Sequence, residues 1–108
     1  MYFKTRITLR NDGEFDGHGF GRGIEQLLTG IETHGSLNRS AKELGMAYSK
    51  AWRILRLAEA EFGITLLTRD GAHGSTLTEE GAAFLSHYRE MMAAAEAAAE
   101  AVFVKYFK

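Results

Sequence analysis

Ser36 to Phe62 reads SLNRSAKELGMAYSKAWRILRLAEAEF, and this stretch decides the fold. Leu37, Ala41 and Leu44 recur three or four residues apart and Gly45 follows them, which predicts a helix of barely two turns stopped by glycine. Ser36 or Asn38 supplies its N-cap oxygen. After Met46 and Ala47 a longer pattern, Tyr48 to Phe62, carries Ala51, Ile54, Leu55, Ala58 and Phe62 on one side. Two helices joined by a short glycine turn are the outline of a helix-turn-helix.

The flanks extend this unit in both directions. Upstream, Ile24, Leu27, Leu28 and Ile31 have the spacing of an amphipathic helix that Gly35 closes. Before it, Phe3, Thr5, Ile7 and Leu9 alternate with Lys4, Arg6, Thr8 and Arg10, which predicts a strand over residues 2–10. Asp12 to Gly23 is glycine-rich and reads as a linker; its glycines fail the dinucleotide fingerprint because Arg22 stands where a glycine is required. Downstream, residues 64–77 form a wing: Ile64 to Leu67 as a strand, DGAHGS as a turn, and Thr76 and Leu77 pairing back.

Thr78 caps a last helix over residues 79–107, with Glu79 and Glu80 at the positive end of its dipole and an alanine-rich AAAEAAAEA run within it. Such a helix of about thirty residues is about 45 Å long at 1.5 Å per residue. Its apolar stripe is Phe84, Leu85, Tyr88, Met91, Met92, Ala95, Ala99, Val102, Phe103 and Tyr106. That stripe outlasts what one small domain covers, so the helix is expected to dimerise. Residues 1–108 thus read as a single α+β domain, mostly helical, with its helix-turn-helix core over residues 24–63.

Composition removes several classes of function. The chain has 108 residues, 45% hydrophobic and 25% charged, with no cysteine, so a disulfide framework, cysteine-ligated zinc and a thiol nucleophile are all excluded. No apolar run resembles a signal peptide or a membrane span, and a cytoplasmic protein with no membrane partner is expected. His18, His34, His73 and His87 have no metal-ligand spacing, and no nucleophile elbow accompanies the serines. Neither an enzyme, a cofactor, a metal nor a small-molecule site is expected.

The formal net charge of -1 hides a segregation. Ser36 to Arg56 carries Arg39, Lys42, Lys50, Arg53 and Arg56 against Glu43 alone, whereas Glu79 to Glu100 carries five glutamates against Arg89. One end attracts polyanions and the other repels them. With Ala51 at the centre of the buried face and about 100° per residue, Ser49, Arg53 and Arg56 fall almost opposite, with Lys50 beside them. Long donors at that place suit a helix in the major groove of double-stranded DNA. Tyr48 either reaches a phosphate or base edge or packs on the second helix, and Trp52 falls between the two faces, where partial burial is expected. Ser36, Asn38 and Arg39 at the second helix's start are suited to clamp a phosphate, and Arg69, His73 and Ser75 would reach DNA from the wing.

The run GSLNRSAKELGMAYSKAW, with Leu67-Thr68-Arg69 entering the wing and Leu77-Thr78-x-x-Gly81 starting the last helix, resembles the winged helix-turn-helix of LysR-type regulators. Met46-Ala47-Tyr48-Ser49-Lys50-Ala51-Trp52 is similar to the N-terminal DNA-binding domain of the ModE-type, molybdate-dependent regulators. The resemblance implies a dimeric bacterial transcription regulator, its subunits joined by the N-terminal strand and the last helix, with a link to molybdate metabolism. The chain ends where the molybdate-binding domains of that family would begin, so a stand-alone DNA-binding domain is expected. Ala47 replaces the serine that often caps the recognition helix in LysR-type relatives, which weakens the cap by about 1 kcal/mol. The rival expectation is a protein-interaction module that dimerises with or inhibits another regulator.

Overall fold

Four helices and a two-stranded sheet follow one another as α1 (Arg22–His34), α2 (Leu37–Glu43), α3 (Tyr48–Phe62), β1 (Leu67–Arg69), β2 (Ser75–Leu77) and α4 (Glu79–Tyr106). This computed structural model describes residues 1–69 and 74–108, with Arg69 described by its backbone alone. The architecture is the expected mostly helical winged helix-turn-helix.

Local chemistry places the helix ends. Ile24, Leu27, Leu28 and Ile31 form the inner face of α1, and the helix ends where Gly35 turns left-handed at φ 67°, its N–H bonding Ile31 O. Ser36 Oγ accepts from Arg39 N at 3.1 Å and so caps α2, while Asn38 lies exposed within the helix. Gly45, at φ 66°, makes the turn between α2 and α3, a conformation that would strain any residue with a Cβ.

The wing begins later than the sequence suggests. β1 and β2 pair antiparallel, Leu67 opposite Leu77 and Arg69 opposite Ser75. Ile64 to Leu66 stays outside the ladder because other partners take its polar groups: Leu66 N donates to Glu59 Oε2 at 2.8 Å, and Leu66 O accepts from Thr78 N at 3.0 Å. Ser75 N bonds Gly35 O at 2.9 Å, tying the wing to the end of α1. The turn expected from Asp70 includes residues outside the described ones.

Residues 2–10 keep the expected alternation, Phe3, Thr5, Ile7 and Leu9 half-buried and their neighbours exposed, but they form no ladder among the described residues. A single antiparallel bridge joins Leu9 and Phe20 through N–H···O bonds of 2.8 and 2.9 Å. Side chains hold the rest: Tyr88 donates its hydroxyl proton to Ile7 O at 2.8 Å, and Phe3 lies against Phe103 with ring centroids 5.1 Å apart. Nor is the glycine-rich stretch a plain linker. It delivers Phe20, fully buried, onto Phe84 and Tyr88 at centroid distances of 4.7 and 5.1 Å.

Leu27, Leu28, Leu37, Leu55, Leu66 and Leu85 complete the core, each contributing on the order of 1.5–3 kcal/mol by leaving water. Leu85 and Tyr88, expected on the dimer stripe, are fully buried within this one chain, and Phe84 is half-buried against the same core. The reason is Phe20 together with Ile7, which cover the first third of α4.

Glu61 is a carboxylate at 1% exposure, near the C-terminal end of α3. It accepts from Arg10 Nε at 2.9 Å and from Asn11 N at 2.9 Å, and its backbone carbonyl takes Asn11 Nδ2 at 2.8 Å. Burial pushes its pKa up, but the Asn11 N–H and the Arg10 guanidinium outweigh burial and hold it below the ordinary value of 4.5. A depressed carboxylate contributes stability that is full above the unfolded value and is lost as pH falls through the folded one. The melting temperature of the wild type is therefore expected to drop on acidification below about pH 4.5, and Glu61→Gln to melt lower at neutral pH with a shallower acid limb. An unchanged acid limb in the variant, measured by thermal melts across pH, would contradict this assignment.

Candidate nucleic-acid interface

The N-terminal end of α3 is built unlike a helix designed for stability alone. Its N-cap is Ala47, which offers no side-chain acceptor, and its first turn carries no acid. Lys50 instead stands there, against the positive end of the helix dipole, an arrangement unfavourable by about 0.3–1 kcal/mol. A bound anion reverses that sign, since uncapped N–H groups and a cation then act together.

Burial fixes which way the helix faces. Ala51, Leu55 and Ala58 point into the core, so Ser49, Lys50, Arg53 and Arg56 are exposed, as the wheel argument requires. Tyr48 is also on the surface, at the helix start. Trp52 is half-buried against the core and carries the Arg56 guanidinium 4.3 Å above its ring centroid. At α2, Asn38 and Arg39 are exposed, while Ser36 is half-buried with its hydroxyl committed to the cap. No acidic side chain interrupts α3 before Glu59, and Glu79, Glu80, Glu90, Glu96 and Glu100 of α4 are exposed.

The wing departs from expectation at one described position. Ser75 is buried at 7% exposure, and its backbone N–H is bonded to Gly35 O. His73 and the Arg69 side chain lie outside the described residues. Thr68 and Thr76, not singled out from the sequence, are exposed as a cross-strand pair with hydroxyl oxygens 2.8 Å apart. Strand alternation around buried Leu67 was the signal available for them.

On α4 the expected dimer stripe divides in two. Beyond the core residues Phe84, Leu85 and Tyr88, Met92, Ala95, Ala99 and Phe103 are half-buried, whereas Met91, Val102 and Tyr106 are 38%, 54% and 67% exposed. Val104 and Phe107 extend this exposed apolar end. Among the described residues, no group of three His, Asp or Glu side chains is placed to hold a metal ion, and no helix is long and apolar enough to cross a membrane.

Comparison with known proteins gives the geometry its context. The family model for bacterial regulatory helix-turn-helix proteins of the lysR family matches residues 26–82, from within α1 to the first turn of α4. Among solved structures the chain is similar to CbnR_DBD in its DNA complex, with TM-score 0.64, 24% identity, and coverage of 77% of this chain and 94% of that one. It is similar to VV2_1132, a LysR family transcriptional regulator, with TM-score 0.61 and 18% identity over 80% of this chain and 30% of that one. CrgA, a LysR-type transcriptional regulator from Neisseria meningitidis, gives TM-score 0.52 and 30% identity over 80% of this chain and 29% of that one. The chain thus spans under a third of the length of those two regulators. No curated protein matches the sequence. The matched segment contains α2, α3 and the wing and more than half of the residues, and the chain belongs to the lysR family of bacterial regulatory helix-turn-helix proteins.

Proposed function

We propose that the chain is a sequence-specific double-stranded DNA-binding transcription regulator that acts as a homodimer on a bacterial promoter. The observation that carries the reading is the outward face of α3: Ser49, Lys50, Arg53 and Arg56 exposed, with an uncapped N-terminus and no acid in the first turn. The DNA in the CbnR_DBD complex supports the choice of ligand. Ser49, Lys50 and Arg53 specify bases, Asn38 and Arg39 position the phosphate backbone with Ser36 ordering their helix, and Tyr48 lies beside them. Arg69 and His73 are proposed as contacts from the wing. The dimer uses Met91, Ala95, Ala99, Val102 and Tyr106 of α4 together with the N-terminal segment, and reads half-sites about 34 Å or a multiple of it apart. The ModE-like run from Met46 to Trp52 supports the finer link to molybdate metabolism.

Fluorescence anisotropy on random and genomic DNA pools across about 50 to 200 mM salt, with sequencing of the bound fraction, tests this reading. Enrichment of a pseudo-palindrome and a steep negative salt slope are expected. Arg53→Ala should relax the sequence preference at its contacted position by about 1–3 kcal/mol, while Arg39→Ala weakens all sequences alike. Equal, uniform losses from both would refute the division of roles. A flat slope with no enrichment would point instead to a module that pairs with another regulator, for which the exposed end of α4 is suited.

A further inference from the structure

We propose that Trp52 is a positioning residue for DNA binding, its indole face holding the Arg56 guanidinium as a preformed phosphate contact. The inference rests on the DNA-binding reading above.

Trp52 and Arg56 stand four residues apart on one flank of α3, where side chains meet. The guanidinium carbon lies 4.3 Å from the centre of the indole, within the range of a cation–π contact. The platform is fixed because Trp52 packs against the core. Arg56, by contrast, has a side chain 61% exposed. A second tether comes from Glu59 Oε1, 3.4 Å from Arg56 Nη1, and Glu59 is itself held by Leu66 N. An arginine on a surface helix is ordinarily mobile, and ordering it on binding reduces affinity. Here part of that ordering is in place before a ligand arrives.

Stacking occupies the face of the guanidinium and leaves its in-plane N–H groups for an anion, the geometry that suits a phosphate. The 3.4 Å approach of Glu59 is long for a charge-assisted bond, so a phosphate oxygen at the usual distance of about 2.8 Å displaces it readily. Arg56 lies two turns into α3, past the N-terminal residues that reach base edges in a major-groove helix, which assigns it to the backbone rather than to sequence. Trp52 is also the chain's one tryptophan, so its emission reports the stack directly.

The test uses the full chain with a duplex enriched from the pools and a duplex of unrelated sequence, by anisotropy against salt and by tryptophan emission. Arg56→Ala is expected to weaken both duplexes, lower the salt slope by about 0.9 and shift the emission of the free protein. Trp52→Leu should weaken both by about two- to fivefold, and Trp52→Phe by less. In an Arg56→Ala background Trp52→Leu should have no further effect. Arg56→Lys keeps the charge without the planar stack and disturbs only the surface, so it should reproduce the Trp52→Leu loss even if that variant folds poorly. An Arg56→Lys protein that binds as the wild type, or a Trp52→Leu loss that persists without Arg56, overturns the positioning role while leaving DNA binding intact. A wild type with a flat salt slope overturns both, and the slope alone separates the two failures.

Discussion

Gly81→Val is expected to destabilise the protein by about 3 kcal/mol, the upper end of what overpacking costs, and to lower its melting temperature by more than about 10 °C. Gly81 is buried in the first turn of α4, where a Cβ would lie 2.1 Å from Leu66 O and 2.9 Å from Leu66 C. Neither atom is able to yield. Leu66 O already accepts the Thr78 N–H at 3.0 Å, while Leu66 N is fastened to Glu59 at 2.8 Å. The crossing is drawn tighter by the Thr78 hydroxyl, which caps α4 at Gly81 N and bonds Thr65 O. A side chain at position 81 therefore pushes α4 off the segment that leads into the wing, and the wing moves with it. Gly23 in the first turn of α1 is the control, because nothing lies within 4 Å of its added Cβ. Gly23→Ala should stabilise by about 0.4–1 kcal/mol, chiefly by restricting the unfolded chain. Thermal melts of the two variants decide the matter: similar small shifts would show that the α4 crossing tolerates a side chain.

That glycine illustrates how much of the fold is readable from sequence. The helix-turn-helix is legible because its information is local: three-and-four spacing, Ser36 and Thr78 as caps, and Gly35, Gly45 and Gly63 at the helix ends. The bounds of α3 follow from it without adjustment. What is not legible depends on residues far apart. Glu61 looks like any surface glutamate until Arg10 and Asn11, some fifty positions earlier, arrive at its carboxylate. Phe20 sits between glycines and has no periodicity to mark it, yet it packs on Phe84 and Tyr88 and so supplies the first part of the α4 stripe with a partner inside the chain. An apolar stripe on a helix says that a partner exists, not whether the partner is the chain's own N-terminal segment. The nucleic-acid face divides along the same line. Arg53 and Lys50 are readable as outward cations from helical geometry, whereas the withdrawal of Ser75 requires the long-range bond to Gly35, and the stacking of Arg56 on Trp52 requires a rotamer.

The largest functional effect is expected from residues that touch no DNA. If the chain is the proposed homodimer, Val102→Glu combined with Met91→Glu should give a monomer whose affinity for the enriched two-half-site duplex falls by about 10²–10⁴-fold, because a second half-site is then no longer held at millimolar effective concentration. The argument starts from α4, which at 28 residues is about 42 Å long. Its buried residues, Gly81, Leu85 and Tyr88, all lie in its first ten positions. Farther along, Phe3 covers Phe103, and a groove opens between residues 1–7 and α4 with Met92, Ala93 and Ala97 in its wall. Met91, Val102 and Tyr106 fall within about 60° of one another around α4 and remain in water, an apolar stripe that a second copy would bury. The acids Glu96 and Glu100 would oppose two such helices meeting, but Lys4 and Arg6 line the same groove and offset them. Neither substituted residue contributes to the core, so the variants should melt as separate folded domains. They should also keep a weaker, salt-dependent affinity for a single half-site, since each monomer retains its own α3 and phosphate contacts. Sedimentation equilibrium and anisotropy on one-half-site and two-half-site duplexes read the outcome. If the glutamate variants stay dimeric, or if monomers bind the two-half-site duplex as tightly as the wild type, α4 is not what couples the half-sites.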